Sequence, residues 1–210
     1  MPVVLKSRRG ALWRNCNRPG RLRLNASAVP MLAAACLLLT PFRIFAQRAT
    51  PTENDVKAAY IYNFGKFVKW PANYNANQGG AFTICVLGDE SIGATLQSTL
   101  TGKTLGGAPV IFKQLSKPQD AASCRVLFID GDQESHLKGI LSALDRESVL
   151  TVSDISDFSK RGGMIEFVTE GSRVRFAINR TVAENAGLIL ESDLLKVATT
   201  VRDSSHPGGQ

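Results

Sequence analysis

From residue 55 to residue 70 the apolar side chains return every three or four positions. Val56, Ala59, Tyr60, Phe64 and Phe67 follow one stripe, with Asn63 its polar member, while Lys57, Lys66 and Lys69 gather on another side. That period is the α-helical one. It predicts a helix over 55–70, opened by Asn54 and Asp55 and stopped by Pro71. Ile61 and Val68 widen the apolar arc, so the helix is largely covered, by the core or by a partner.

Beyond a loop-forming stretch at 73–80 the pattern changes to short, unbroken apolar runs. Residues 82–88 (FTICVLG), 110–114, 125–129 (RVLFI) and 149–153 (VLTVS) read as buried strands, with helices over 91–100 and 134–144 between them. Residues 164–168 and 173–178 are joined by the Glu170-Gly171 turn, which predicts a hairpin. A short helix over 181–186 with Gly187 at its C-cap and an amphipathic segment over 188–201 follow. Buried strands alternating with helices imply one α/β domain. Its sheet is mostly parallel, flanked by helices on both faces, with a late antiparallel hairpin.

Charge changes the picture only when it is located. The 210 residues include 25 Lys+Arg and 18 Asp+Glu, a formal net charge of +7 that suggests a polyanionic partner. Residues 1–46 carry eight basic and no acidic residues, which leaves 17 basic against 18 acidic in 47–210, a net charge of −1. No nucleic acid is therefore expected. Within the basic segment, residues 28–42 (AVPMLAAACLLLTPF) form an uncharged run of 15, short of the ~20 needed to span a bilayer. A basic region, an apolar run and the small residue Ala46 predict a secretory signal peptide over 1–46, cleaved near Ala46. A short uncleaved anchor is the alternative. Residues 47–54 read as a flexible lead, 55–201 as the folded domain and 202–210 as a disordered tail.

Export removes Cys16 and Cys36 and leaves Cys85 and Cys124. An even pair in an oxidising compartment reads as one disulfide, with two buried thiols as the alternative. No metal site is expected: His136 and His206 are the only histidines, and neither stands at ligand spacing from a cysteine. Gly102-Lys103-Thr104 lacks the rest of a P-loop, and no nucleophile elbow exists, so neither an enzyme nor a cofactor is expected. The ligand candidate is the carboxyl end of the strands, at Gly88, Asp89 and Ser91 after one strand and Asp130 and Asp132 after another.

Several segments in order resemble one known family. Ala58-Ala59-Tyr60-Ile61-Tyr62-Asn63-Phe64 is followed by Lys66-Phe67-Val68-Lys69-Trp70-Pro71, then by Ile84-Cys85-Val86-Leu87-Gly88 and Cys124-Arg125-Val126-Leu127-Phe128-Ile129. Leu150-Thr151-Val152-Ser153-Asp154, Gly162-Gly163-Met164-Ile165, Arg173-Val174-Arg175-Phe176 with Ile178-Asn179, and Gly187-Leu188 complete the series. Residues 55–201 resemble the YfiR-like periplasmic proteins. The resemblance implies a periplasmic regulator, a homodimer that represses a membrane-bound diguanylate cyclase by binding its periplasmic sensor region and so lowers cyclic-di-GMP signalling. It also implies an outer-membrane lipoprotein antagonist, and it supports the Cys85–Cys124 disulfide. A second cysteine pair of the family, near residues 153–158, is missing here. Tyr60, Tyr62, Phe64, Phe67 and Trp70 exceed what one helix stripe needs; Tyr60, Tyr62, Phe67 and Trp70, with Phe158 and Met164, are the expected dimer or partner contact, and packing of all five aromatics in the core is the alternative. The alternative function is a periplasmic small-ligand-binding protein or the sensory component of a sensor-kinase system.

Overall fold

Thr52 opens the first helix, two residues before the expected opening at Asn54. In α1 (Glu53–Phe67) the Asp55 amide donates to Thr52 Oγ1 at 3.2 Å and the Thr52 amide donates to Asp55 Oδ2 at 2.8 Å. Two orphan helix donors are satisfied reciprocally, which fixes the start. The computed structural model describes residues 50–71, 80–145 and 147–203, without the side chains of Glu90 and Ser91. The expected signal peptide lies outside the described residues, as do residues 73–79 of the expected loop and residues 204–210 of the expected tail.

After α1 come β1 (Val68–Lys69), β2 (Phe82–Leu87), α2 (Glu90–Leu100), β3 (Thr104–Leu105) and β4 (Ala108–Leu115). A 3-10 helix (Pro118–Ser123) leads to β5 (Val126–Ile129), and a second one (Gly131–His136) leads to α3 (Leu137–Ala143). The chain closes with β6 (Leu150–Ser153), β7 (Ile165–Glu170), β8 (Arg173–Asn179), α4 (Arg180–Asn185), β9 (Ile189–Leu190), α5 (Ser192–Val197) and β10 (Thr200–Arg202).

Eight strands form one sheet in the order β10-β8-β7-β6-β5-β2-β4-β3. The ladders from β4 through β2, β5 and β6 to β7 are parallel, as is β8 with β10; β7–β8 is the expected antiparallel hairpin. The two faces of the sheet are covered separately. Ile84, Val86, Val126 and Phe128 face α1, α2, α4 and α5 through Phe64, Leu96, Ala183 and Leu194. Cys85, Leu87, Leu127 and Ile129 face the other way, onto Ala121, Leu137, Ile140 and Phe158. The period-2 alternation of two apolar sets explains the unbroken runs. On that second face Cys85 and Cys124, both fully buried, form a disulfide.

Four elements differ from the sequence expectation. The first helix ends at Phe67 rather than Trp70, because Val68 turns extended, β1 pairs with β9, and the Glu191 amide takes the Phe67 carbonyl at 2.8 Å. Only half of the 134–144 helix is α-helical, its first turns being 3-10. The strand expected from 110 begins at Ala108, because Gly106 (φ +57°) and Gly107 (φ +85°) form the two-residue turn of a β3–β4 hairpin. The amphipathic 188–201 segment is β9, α5 and β10, each held by a distant strand or helix; β10 runs to Arg202, inside the segment read as tail. Gly187 does cap α4, at φ +78°: its amide donates to Glu184 and that of Leu188 to Ala183, both at 2.9 Å.

Candidate functional site

β2 and β5 lie side by side, yet the chain leaves their carboxyl ends toward opposite faces, to α2 and to α3. Such a switch point is where an open α/β sheet forms a crevice. Here the crevice is filled by the chain itself. Gly88 (φ +125°) lies beneath Asp130 and Asp132, and a Cβ there would collide with Asp132 Oδ1 and Asp130 Cβ. Gln114 Nε2 closes the other flank by donating to the Gly88 carbonyl at 2.9 Å. Of the expected ligand residues, Gly88, Asp130 and Asp132 are thus brought together, with Asp89 next in the chain. Ser91 stands in the first turn of α2, its side chain outside the described set.

Burial above all, then the charges of Asp154 and Asp132, push the Asp130 carboxyl above the usual carboxylate range, against the lowering effect of the Asp132 and Gly131 amides. Lys57 supplies the cation of this end. It is 7% exposed, and its Nζ lies 2.7 Å from Asp154 Oδ2 and 2.8 Å from Glu53 Oε1. Burial alone pulls its pKa down, but the bonds and charges of Asp154 and Glu53 outweigh that and hold it above the ordinary lysine value. His136 is exposed, with Nδ1 3.2 Å from Ser135 Oγ. Among the described residues no group of three or more His, Cys, Asp and Glu is placed to hold a metal ion.

One buried carboxylate organises the neighbouring loop. Glu166 accepts from the amides of Asp157 (2.9 Å) and Ser159 (3.0 Å) and from Ser159 Oγ (2.6 Å). Asn179 Nδ2 in turn donates to the Ser159 carbonyl at 2.7 Å. Neither Glu166 nor the Lys57–Asp154 pair has a local sequence signal. The nearest hint is that each is a charged residue set in an otherwise apolar run.

The expected contact residues are not gathered on one surface. Phe158 is fully buried on the sheet face opposite α1, and Met164 is 5% exposed in the core beside α1. Tyr60 packs between Phe64, Phe167 and Phe176, with ring centroids 5.4–6.1 Å away. Tyr62 donates its hydroxyl to the Thr104 carbonyl at 3.0 Å. Trp70 meets Phe82 edge-on at 5.2 Å, with the Arg125 guanidinium 5.5 Å from its ring. Tyr60, Tyr62, Phe67 and Trp70 are all half-buried against the core. Lys66, Trp70, Phe82, Leu105 and Arg125 line an open cleft of about 670 Å³.

Residues 54–199 match the model of the YfiR/HmsC-like family (DUF4154). The chain belongs to that family. The members of this family are periplasmic regulators of cyclic-di-GMP signalling. No curated protein is significantly similar to this chain. Among solved structures it is similar to a conserved domain protein from Vibrio cholerae O1 biovar El Tor strain N16961. The identity is 14% and the TM-score 0.52, over 72% of this chain and 60% of that one, a likeness of fold alone. This chain therefore matches well under two thirds of that protein's length. The ABC domain in complex with L-Trp from Streptococcus pneumonia is 14% identical over 61% of this chain and 57% of that one. Its TM-score of 0.46 carries no argument. Among the described residues of this YfiR/HmsC-like chain, no helix is long and apolar enough to cross a membrane.

Proposed function

We propose that this protein represses a membrane-bound diguanylate cyclase by binding the cyclase's periplasmic sensor region, and so lowers cyclic-di-GMP output. The leader over 1–46 exports it and is removed near Ala46. It works as a homodimer, and an outer-membrane lipoprotein relieves the repression by sequestering it. The match of residues 54–199 to the YfiR/HmsC-like family carries this reading. The crevice at Gly88, Asp130 and Asp132, occupied by the chain's own side chains, supports it, since a surface elsewhere on the protein rather than that strand end is then left to act. Tyr62 and Trp70, half-buried at the exit of α1, belong to that surface.

The test uses the full chain expressed in a host carrying a cyclase with a periplasmic sensor region. The wild-type protein is expected to co-purify with the cyclase from membranes and to lower cyclic-di-GMP. Tyr62→Ala with Trp70→Ala is expected to weaken both effects while the circular dichroism spectrum is kept. A well-expressed, folded protein that neither binds the cyclase nor changes the nucleotide level would refute the proposal.

A further inference from the structure

β4 is an open edge of the main sheet along most of its length. β2 pairs with it on one side over six residues, from Phe82↔Val110 to Leu87↔Leu115. On the other side β3 pairs with it only at Thr104↔Pro109 and Leu105↔Ala108. The Val110 amide points outward, donating to the Lys103 carbonyl at 2.9 Å. Backbone direction alternates along a strand, so the amides and carbonyls of Phe112 and Gln114 also point outward. Among the described residues no strand pairs with them. An unpaired edge of this kind is a template for another strand.

The side chains beside the edge select its occupant. Ile111 is 43% exposed, one of three large apolar side chains so exposed among the described residues, and offers a cross-strand apolar contact. Lys103, Lys113 and Lys117 are all exposed, and none has a carboxylate within ion-pair distance among the described residues. A second copy of this edge would bring three more lysines against these three, a like-charge juxtaposition that disfavours self-pairing. A strand bearing carboxylates meets the opposite situation.

We infer that the β4 edge accepts an extended, acidic segment of a partner protein by strand addition. Its outward amides at Phe112 and Gln114 bind that segment's backbone, and Lys103, Lys113 and Lys117 select its charge. The inference does not depend on a cyclase being the partner.

The probes are two capped peptides, Glu-Val-Glu-Val-Glu-Val-Glu and the same peptide with Lys for Glu. Amide hydrogen exchange is followed by NMR on the disulfide-intact protein. The acidic peptide is expected to slow exchange at Phe112 and Gln114 by about tenfold or more, the basic one to leave both unchanged, and added salt to weaken the effect. Gln114→Pro removes an outward donor without breaking the β2 ladder, and should abolish the protection at Phe112, the amide still observable in that variant. The triple variant Lys103→Glu, Lys113→Glu, Lys117→Glu alters exposed side chains only, so it decides the matter if the proline variant fails to fold. It should reverse the preference between the peptides. The inference falls if the acidic peptide protects neither amide, if both peptides protect them equally, or if sedimentation shows a dimer in which these amides are already protected without peptide.

Discussion

Lys57 Nζ lies 2.7 Å from Asp154 Oδ2, and this bond ties the first turns of α1 to the carboxyl end of β6. Asp154 Oδ1 is buried with no hydrogen-bond partner among the described residues, so the lysine bears most of the work of holding this carboxylate.

Removing the lysine leaves the partly buried Asp154 carboxylate without its cation, whereas removing Asp154 leaves Lys57 paired with Glu53 alone. Lys57→Met is expected to destabilise the protein by about 2–3 kcal/mol at pH 7. That is below the usual cost of breaking a buried pair, because Asp154 retains some solvent. Urea denaturation at pH 7 checks it, with Lys57→Met compared alone and combined with Asp154→Asn. The combined variant should regain part of the loss; a combined variant no more stable than the single one would mean that packing, rather than charge, is what the lysine supplies.

Asp130 makes stability depend on pH in the opposite sense from an ordinary salt-bridged carboxylate. Its folded pKa is raised, by burial first and then by Asp154 and Asp132, so the folded state holds this proton more tightly than the unfolded chain. That contribution is fully present below the ordinary carboxylate value near pH 4 and is lost as the pH rises through the raised folded value. Asp130→Asn is therefore expected to raise the Tm at pH 7, with the gain shrinking toward zero as the pH falls to about 4. Melting curves across this range test it, and a gain that does not vary with pH would count against the charge as its cause.

Cys85 and Cys124 are fully buried and close a loop with a sequence separation of 39 residues. The chain-entropy model gives such a bridge about 3.9 kcal/mol of stabilisation. Replacing both with Ala should lower the denaturation free energy by about 3–4 kcal/mol. Because no thiolate can reach the buried sulfurs, reductant alone should leave the native bridge intact, and thiol labelling should begin only in denaturant. Rapid reduction without denaturant would show that this face opens.

Gly163 lies under the Phe158 ring, where a Cβ would collide with three ring carbons. The ring has no room to move, since Phe158 is fully buried. Gly163→Ala should cost about 1–3 kcal/mol, measured by thermal or urea unfolding. Gly139→Ala serves as the control: nothing lies near its Cβ position, and in the interior of α3 it should be neutral or stabilising.

Much of this fold is legible in the chain because its signals are local. The runs at β2, β5 and β6 are free of charge and mostly apolar, since both faces of those strands are buried, and each lies within a residue or two of its expected span. The Glu170-Gly171 turn and the Gly187 cap rest on short-range backbone chemistry and appear where expected. Two-residue strands such as β1, β3 and β9 leave no period to detect. The aromatic residues over 60–70 exceed what one helix stripe needs; packing against Phe167, Phe176 and Phe82 accounts for three of them, Tyr60 and Phe64 in α1 and Trp70 beyond its end.

By itself the sequence determined the α/β class, the strands of the parallel core, the family to which the chain belongs and the cysteine pair available for a bridge. The class, the strands and the cysteine pair follow from periodicity, turn chemistry and composition, which act over a few residues; the family follows from the resemblance of the ordered segments over 55–201. Only the tertiary structure decided where α1 ends, which carboxylate Lys57 meets, that Asp130 and Asp132 close the strand crevice over Gly88, and that β4 is left with an open edge. Each of these depends on groups far apart in the chain. Desolvation, charge pairing and strand order exist only once the sheet is assembled, and no local pattern encodes them.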